Sequence, residues 1–128
     1  MTNKLEMCFM MLKPGFANKD FEDKLLREVK SENLTSLKII NNRKKYTLEK
    51  AQIHYKNIKN EDYFPEVVNY LTSDYSYGYC IFGEDAIKKC KEIRTRLRVY
   101  SLDNMRNVVH SSSTEELAKA ELSNFISI

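Results

Sequence analysis

The run LEMCFMML, from Leu5 to Leu12, is apolar at every position but Glu6 and stops abruptly at Lys13-Pro14-Gly15. It reads as a buried first strand and a turn. A strand this apolar must be covered, so the rest of the chain is read for what covers it. DFEDKLLREVKSEN opens with Asp20 as an N-cap; Phe21, Leu25, Leu26 and Val29 follow at helical spacing, and Asn33 offers a stop. LTSLKII is a second strand over 34–40. TLEKAQIHYKNI and DYFPEVVNYLTS read as two helices, the second tolerating Pro65 in its first turn. YSYGYCIFG, ending at Gly83, is a third strand, EDAIKKCKEI a short helix, and VVH a short fourth strand. STEELAKAELSNF is a final helix. Ser113 and Glu116 have capping-box spacing there, and Leu117, Ala120 and Phe125 face a core.

The order is strand, helix, strand, two helices, strand, helix, strand, helix. It predicts an α+β fold: a ferredoxin-like antiparallel four-stranded sheet covered by helices on one face. The length of 128 residues suits one domain over 1–128 with a real core. With 42% apolar and 30% charged residues, disorder is excluded as a reading. No apolar run approaches the roughly 20 residues that cross a bilayer, so no membrane partner is expected. The basic-then-apolar start lacks a small-residue cleavage site and reads as the first strand, not as a signal peptide. Cys8, Cys80 and Cys90 form no C-x-x-C pair. An odd count without a secretion signal implies free thiols in a reducing compartment, hence a cytoplasmic location, and gives no support to a metal site. A formal charge of +3 mildly favours anionic ligands but does not argue for nucleic acid. RNA binding on a basic sheet finds no G-F/Y-G/A-F motif on a predicted strand.

His110 is one of two histidines, placed after two valines and before three serines at a helix start. Glu121 follows it by eleven positions, about two turns into the helix, and helical side chains lean back toward the N-terminus. A carboxylate on one ring nitrogen fixes the tautomer, and the helix start offers N–H groups to a phosphate. Taken alone, such a histidine is most often structural or at the surface.

MLKPG, HYKNIKNEDYFPEVVNYL, GEDAIKK and RNVVHSSSTEELAKAEL occur in that order. Together they resemble the nucleoside diphosphate kinase family over nearly the whole chain. The specific part is R-N-x-x-H-x-S-x-S/T-x-x-x-A-x-x-E, met by Arg106, Asn107, His110, Ser112, Thr114, Ala118 and Glu121. The resemblance implies phosphoryl transfer from a nucleoside triphosphate to a diphosphate through a phosphohistidine, with Mg²⁺ arriving on the nucleotide. By it, His110 is the residue phosphorylated and Glu121 the acid that hydrogen-bonds it. Lys13 contacts the terminal phosphate, with Tyr55 near both. Tyr63 stands where the family has a base-stacking phenylalanine, with Val67 beside it, and Asn107 contacts ribose and phosphate.

Departures from the pattern qualify this. Lys91 stands where the family has an arginine, keeping the charge but losing the bidentate fork. The long loop that follows in the family is cut by roughly ten residues, an alignment-based count, leaving EIRTRLRVY. Thr95 is then the candidate for the phosphate-contacting threonine. Arg96 and Arg98 compete for the second arginine, because counting back from His110 lands on Leu97. If this stretch is a strand, Arg94, Arg96 and Arg98 share a face. The lost loop, which builds trimer contacts in the family, favours a dimeric homo-oligomer over a hexamer. It also sets a second reading beside the enzyme: a degenerate kinase-like domain that binds nucleotide or a protein partner without turnover.

Overall fold

The computed structural model describes residues 4–128. Strand β1 (Leu5–Leu12) is the expected run, and it is central. It pairs antiparallel with β4 (Ser76–Glu84) along its whole length and with β5 (Val109–Ser111) through Met10, Met11 and Leu12. The far edge of β4 is shared by two short strands. β2 (Thr35–Leu37) lies opposite Cys80 to Phe82, and β3 (Arg43–Lys44) opposite Ser76 and Tyr77. The order is β2-β4-β1-β5 with β3 on the β2 side, the antiparallel ferredoxin-like arrangement. The expected strand over 34–40 is therefore shorter, and β3 was not foreseen. Between the two pieces Asn41 takes a positive φ of 55°, and Asn42 exchanges hydrogen bonds with Gly78 before the chain rejoins the edge.

Helices cover both faces of the sheet, not one. Cys8, Met10 and Leu12 of β1 face α1 (Lys19–Ser31) through Leu25 and Val29, and α4 (Ala86–Leu97) through Ala86, Cys90, Ile93 and Leu97. Phe9 and Met11 face the other way, onto Ala51 of α2 (Leu48–His54), Val68 and Leu71 of α3 (Phe64–Thr72), and Ala118 and Phe125 of α5 (Glu115–Ile126). Neighbouring side chains on a strand point to opposite faces, so an unbroken apolar run needs a cover on each.

Three helix details differ from the expectations. Asn18, not Asp20, caps α1 by accepting from the Phe21 amide, and Thr114, not Ser113, caps α5 by accepting from Leu117. Helix α4 does not end at Ile93 but runs to Leu97, with a tight 3₁₀ turn over Arg98–Tyr100. Its buried stripe Ala86, Cys90, Ile93, Leu97 keeps helical spacing throughout, which overrides the strand geometry considered for 94–98. The three cysteines are free and buried. Among the described residues, no helix is long and apolar enough to cross a membrane.

Candidate active site

Register places the central pair. His110 lies opposite Met11 on β1, so its ring projects to the Phe9 face, where α5 brings Glu121. His110 Nε2 and Glu121 Oε1 are 2.7 Å apart. The Ser112 hydroxyl, two residues along from His110 and buried, donates to the same carboxylate oxygen at 2.6 Å. With Nε2 held by the acid, the other ring nitrogen, Nδ1, is the one left for a ligand.

Lys13 directly follows β1 and is 5% exposed. Its backbone amide donates to the Val108 carbonyl, and its ammonium donates to the Met105 carbonyl at 3.4 Å. The ammonium lies 5.7 Å from the Tyr55 ring centre and 5.3 Å from that of Tyr70. Burial first, and the Arg98 charge second, lower its pKa to about 8. Arg98 lies beyond the end of α4 and donates from Nε and Nη2 to the Val109 carbonyl. Its pKa too is lowered, by burial and then by Arg94. Among the described residues no carboxylate pairs with either cation. Two partly desolvated cations without a counter-charge, beside an oriented imidazole, favour an anion.

A hollow of about 350 Å³ adjoins this region, lined by Tyr63, Glu66 and Val67 of the α3 start and by Asn104 and Met105 of the loop before β5. Tyr63 is half-exposed there. The loop is compact: Asp103 accepts from the Met105 and Arg106 amides and from the Arg106 guanidinium, and the Val108 amide donates to Ser101. Within it Asn107 is buried and donates to the Asn104 carbonyl at 2.7 Å, while its Oδ1 has no partner.

Other expected residues lie apart. Arg96 turns to α1, pairing with Glu28 at 2.5 Å and Glu32 at 3.3 Å. Thr95 is exposed and donates its hydroxyl back to the Lys91 carbonyl. Lys91 lines a separate hollow with Lys88, Arg94 and Ser113.

The sequence reading missed His54 and Tyr70. His54 stacks edge-on against His110, ring centres 4.7 Å apart, and against Tyr55 at 4.8 Å. Its Nδ1 is buried without a partner, and burial lowers its pKa well below the usual imidazole range. The signal was available: it is the only other histidine and directly precedes Tyr55. Tyr70 donates its hydroxyl to the Pro14 carbonyl, holding the turn after Lys13 against α3.

The fold is a ferredoxin-type domain, and the family match places it in the nucleotide phosphotransferase class. The chain belongs to the nucleoside diphosphate kinase family, whose family model matches residues 6–127. It is similar to the nucleoside diphosphate kinase of Persephonella marina, 27% identical with 96% of this chain and 94% of that protein covered. A nucleoside diphosphate kinase of Methanosarcina mazei is also 27% identical, covering 92% of this chain and 85% of that one. Among solved structures, the Aquifex aeolicus nucleoside diphosphate kinase superposes with a TM-score of 0.78 at 24% identity, covering 94% of both chains. The Halobacterium salinarum nucleoside diphosphate kinase, solved with CDP, gives 0.80 at 18% identity, covering 97% of this chain and 88% of that one.

Proposed function

We propose that this protein moves the terminal phosphoryl group of a nucleoside triphosphate to a nucleoside diphosphate by way of His110 Nδ1. The observation that carries the reading is the 2.7 Å contact of His110 Nε2 with Glu121, which keeps the ring proton on Nε2 and the lone pair on Nδ1. In the first half-reaction that lone pair attacks the γ-phosphorus. The bond to the bridging oxygen breaks, its electrons leaving with the diphosphate. In the second, an oxygen of an incoming diphosphate attacks the same phosphorus and the P–N bond breaks back onto Nδ1.

The supporting roles follow from the placement of the side chains. Lys13 and Arg98 meet the charge that spreads over the transferring and leaving oxygens. Tyr55, half-buried and with its hydroxyl pKa raised by burial, lies against both Lys13 and His54. Tyr63 and Val67 form a slot for the base that does not distinguish one base from another. The unpartnered Oδ1 of Asn107 is an acceptor for a ribose hydroxyl. Magnesium belongs to the substrate in this reading: that ion keeps several of its waters and binds largely through substrate phosphates, whose charge the cations Lys13 and Arg98 meet here.

Incubation with labelled ATP and Mg²⁺ tests the proposal. The expected result is an acid-labile, base-stable phosphoprotein that a diphosphate discharges and that His110→Ala abolishes. Nucleotide binding without any phosphoprotein would instead favour the non-catalytic domain.

A further inference from the structure

We propose that His54, His110 and Glu121 form a binding site for one zinc-class transition-metal ion, and that filling it prevents His110 from accepting phosphate. The second half rests on the phosphohistidine reading above; the first does not. One ligand atom from each residue falls within 4.8 Å of the others, the only such His/Cys/Asp/Glu group among the described residues. Zinc–nitrogen and zinc–oxygen bonds of about 2 Å place tetrahedral ligands about 3.3 Å apart. The His110–Glu121 contact is already inside that spacing at 2.7 Å, and drawing in the remaining ring is a rotamer-scale movement of about 1.5 Å.

Three further observations favour a metal. His54 carries a buried ring nitrogen, Nδ1, with no hydrogen-bond partner. Glu121 is itself oriented by the Ser112 hydroxyl, the kind of outer support that ligating carboxylates have. A cavity of about 30 Å³, lined by His54 and Glu121 together with Leu117 and Asn124, gives room for a water as fourth ligand. Two imidazole nitrogens and one carboxylate oxygen select a zinc-class ion over Mg²⁺.

The consequence for His110 is a change of tautomer. A metal on Nε2 takes that lone pair, so the ring proton leaves Nε2 and returns through solvent to Nδ1. No lone pair then remains at Nδ1 to attack phosphorus. The ion and the phosphate compete for opposite ends of one ring.

Co²⁺, a spectroscopic stand-in for zinc, tests the site on nucleotide-free protein. One equivalent should give the visible bands of a four-coordinate ion. His54→Gln, His54→Phe and His110→Gln, each checked for native circular dichroism, should each weaken binding at least tenfold, since losing even a partner that only orients a ligand costs about 10- to 100-fold. Metal-loaded wild type should form phosphoprotein from labelled ATP at least tenfold more slowly, and a chelator should restore the rate. The site is overturned if no four-coordinate spectrum forms, or if the folded variants bind Co²⁺ as wild type does. If Co²⁺ binds as described but metal-free protein takes no phosphate, the metal site stands and the phosphohistidine reading falls.

Discussion

Lys13 shows how one side chain sets a pH dependence. Burial and Arg98 hold its folded pKa at about 8, against 10.5 for an unperturbed lysine. Below pH 8 both folded and unfolded chains hold the proton, and the folded state bears the full cost of a buried charge, about 3 kcal/mol. Between 8 and 10.5 the folded chain sheds the proton first, so this group makes the protein more stable as pH rises through that window. A bound phosphate compensates the same charge. ADP with Mg²⁺ should therefore raise Tm more near pH 7 than near pH 9.5, where equal shifts would show that Lys13 does not face the phosphate. The two arginines separate just as clearly. Arg98→Ala should weaken nucleotide binding by about 1.5–3 kcal/mol, the scale of charge-assisted hydrogen bonds. Arg96→Ala should leave binding unchanged and remove only its two partly exposed ion pairs with Glu28 and Glu32, each worth about 1 kcal/mol or less. Titration calorimetry on both variants checks this; weakening by Arg96→Ala alone would reverse the assignment. Sequence spacing did not choose between them, because their difference is one of helical phase. Arg98 lies four residues past Arg94 on the β5 side, whereas Arg96 turns to Glu28. His54 escaped notice for a related reason: a histidine in the last turn of a helix looks solvated until the partner strand is known.

At the scale of elements, periodicity located the helices and the continuous apolar run located β1. Their ends were harder to read. Asn18 and Asp20 are both good caps, as are Ser113 and Thr114, and backbone geometry alone decides which one accepts the free amide. Helix α4 outran its expected end because no glycine or proline follows Ile93 and the apolar stripe continues to Leu97. Strand β3, at two residues, is too short to carry a period. The packing of α5 on the sheet depends on a position that reads as an ordinary strand glycine. Gly78 of β4 lies beneath the Phe125 ring, and a Cβ added there would fall 2.5 Å from it. Gly78→Ala should destabilise the protein by about 1–3 kcal/mol through that overpacking. Urea denaturation measures it, and an unchanged midpoint would mean that α5 yields easily.

For the whole molecule, the order of elements was enough to indicate the ferredoxin-like sheet, but not that both faces are covered. The clue lay in LEMCFMML. Alternate residues of a strand cannot share a face, so Phe9 and Met11 need a second layer beyond the one over Cys8, Met10 and Leu12. That second layer, α2, α3 and α5, is the one that builds the site. It brings His54 and Glu121 to His110 on β5, beside Lys13 just past the end of β1. No local motif spans this convergence; the family resemblance, by matching separate segments in order, pointed to Lys13, Tyr55, His110 and Glu121 together but not to His54. The segment before β5 forms a compact loop whose Asn104 and Met105 line the hollow beside Tyr63. In the proposed function, phosphate passes through one chosen ring nitrogen, Nδ1 of His110. The most direct test is ¹H–¹⁵N NMR of the phosphoprotein labelled with ¹⁵N-histidine. The account predicts phosphate on Nδ1 of His110, with Nε2 still protonated against Glu121. Phosphate on Nε2 of His110, or on His54, would contradict it.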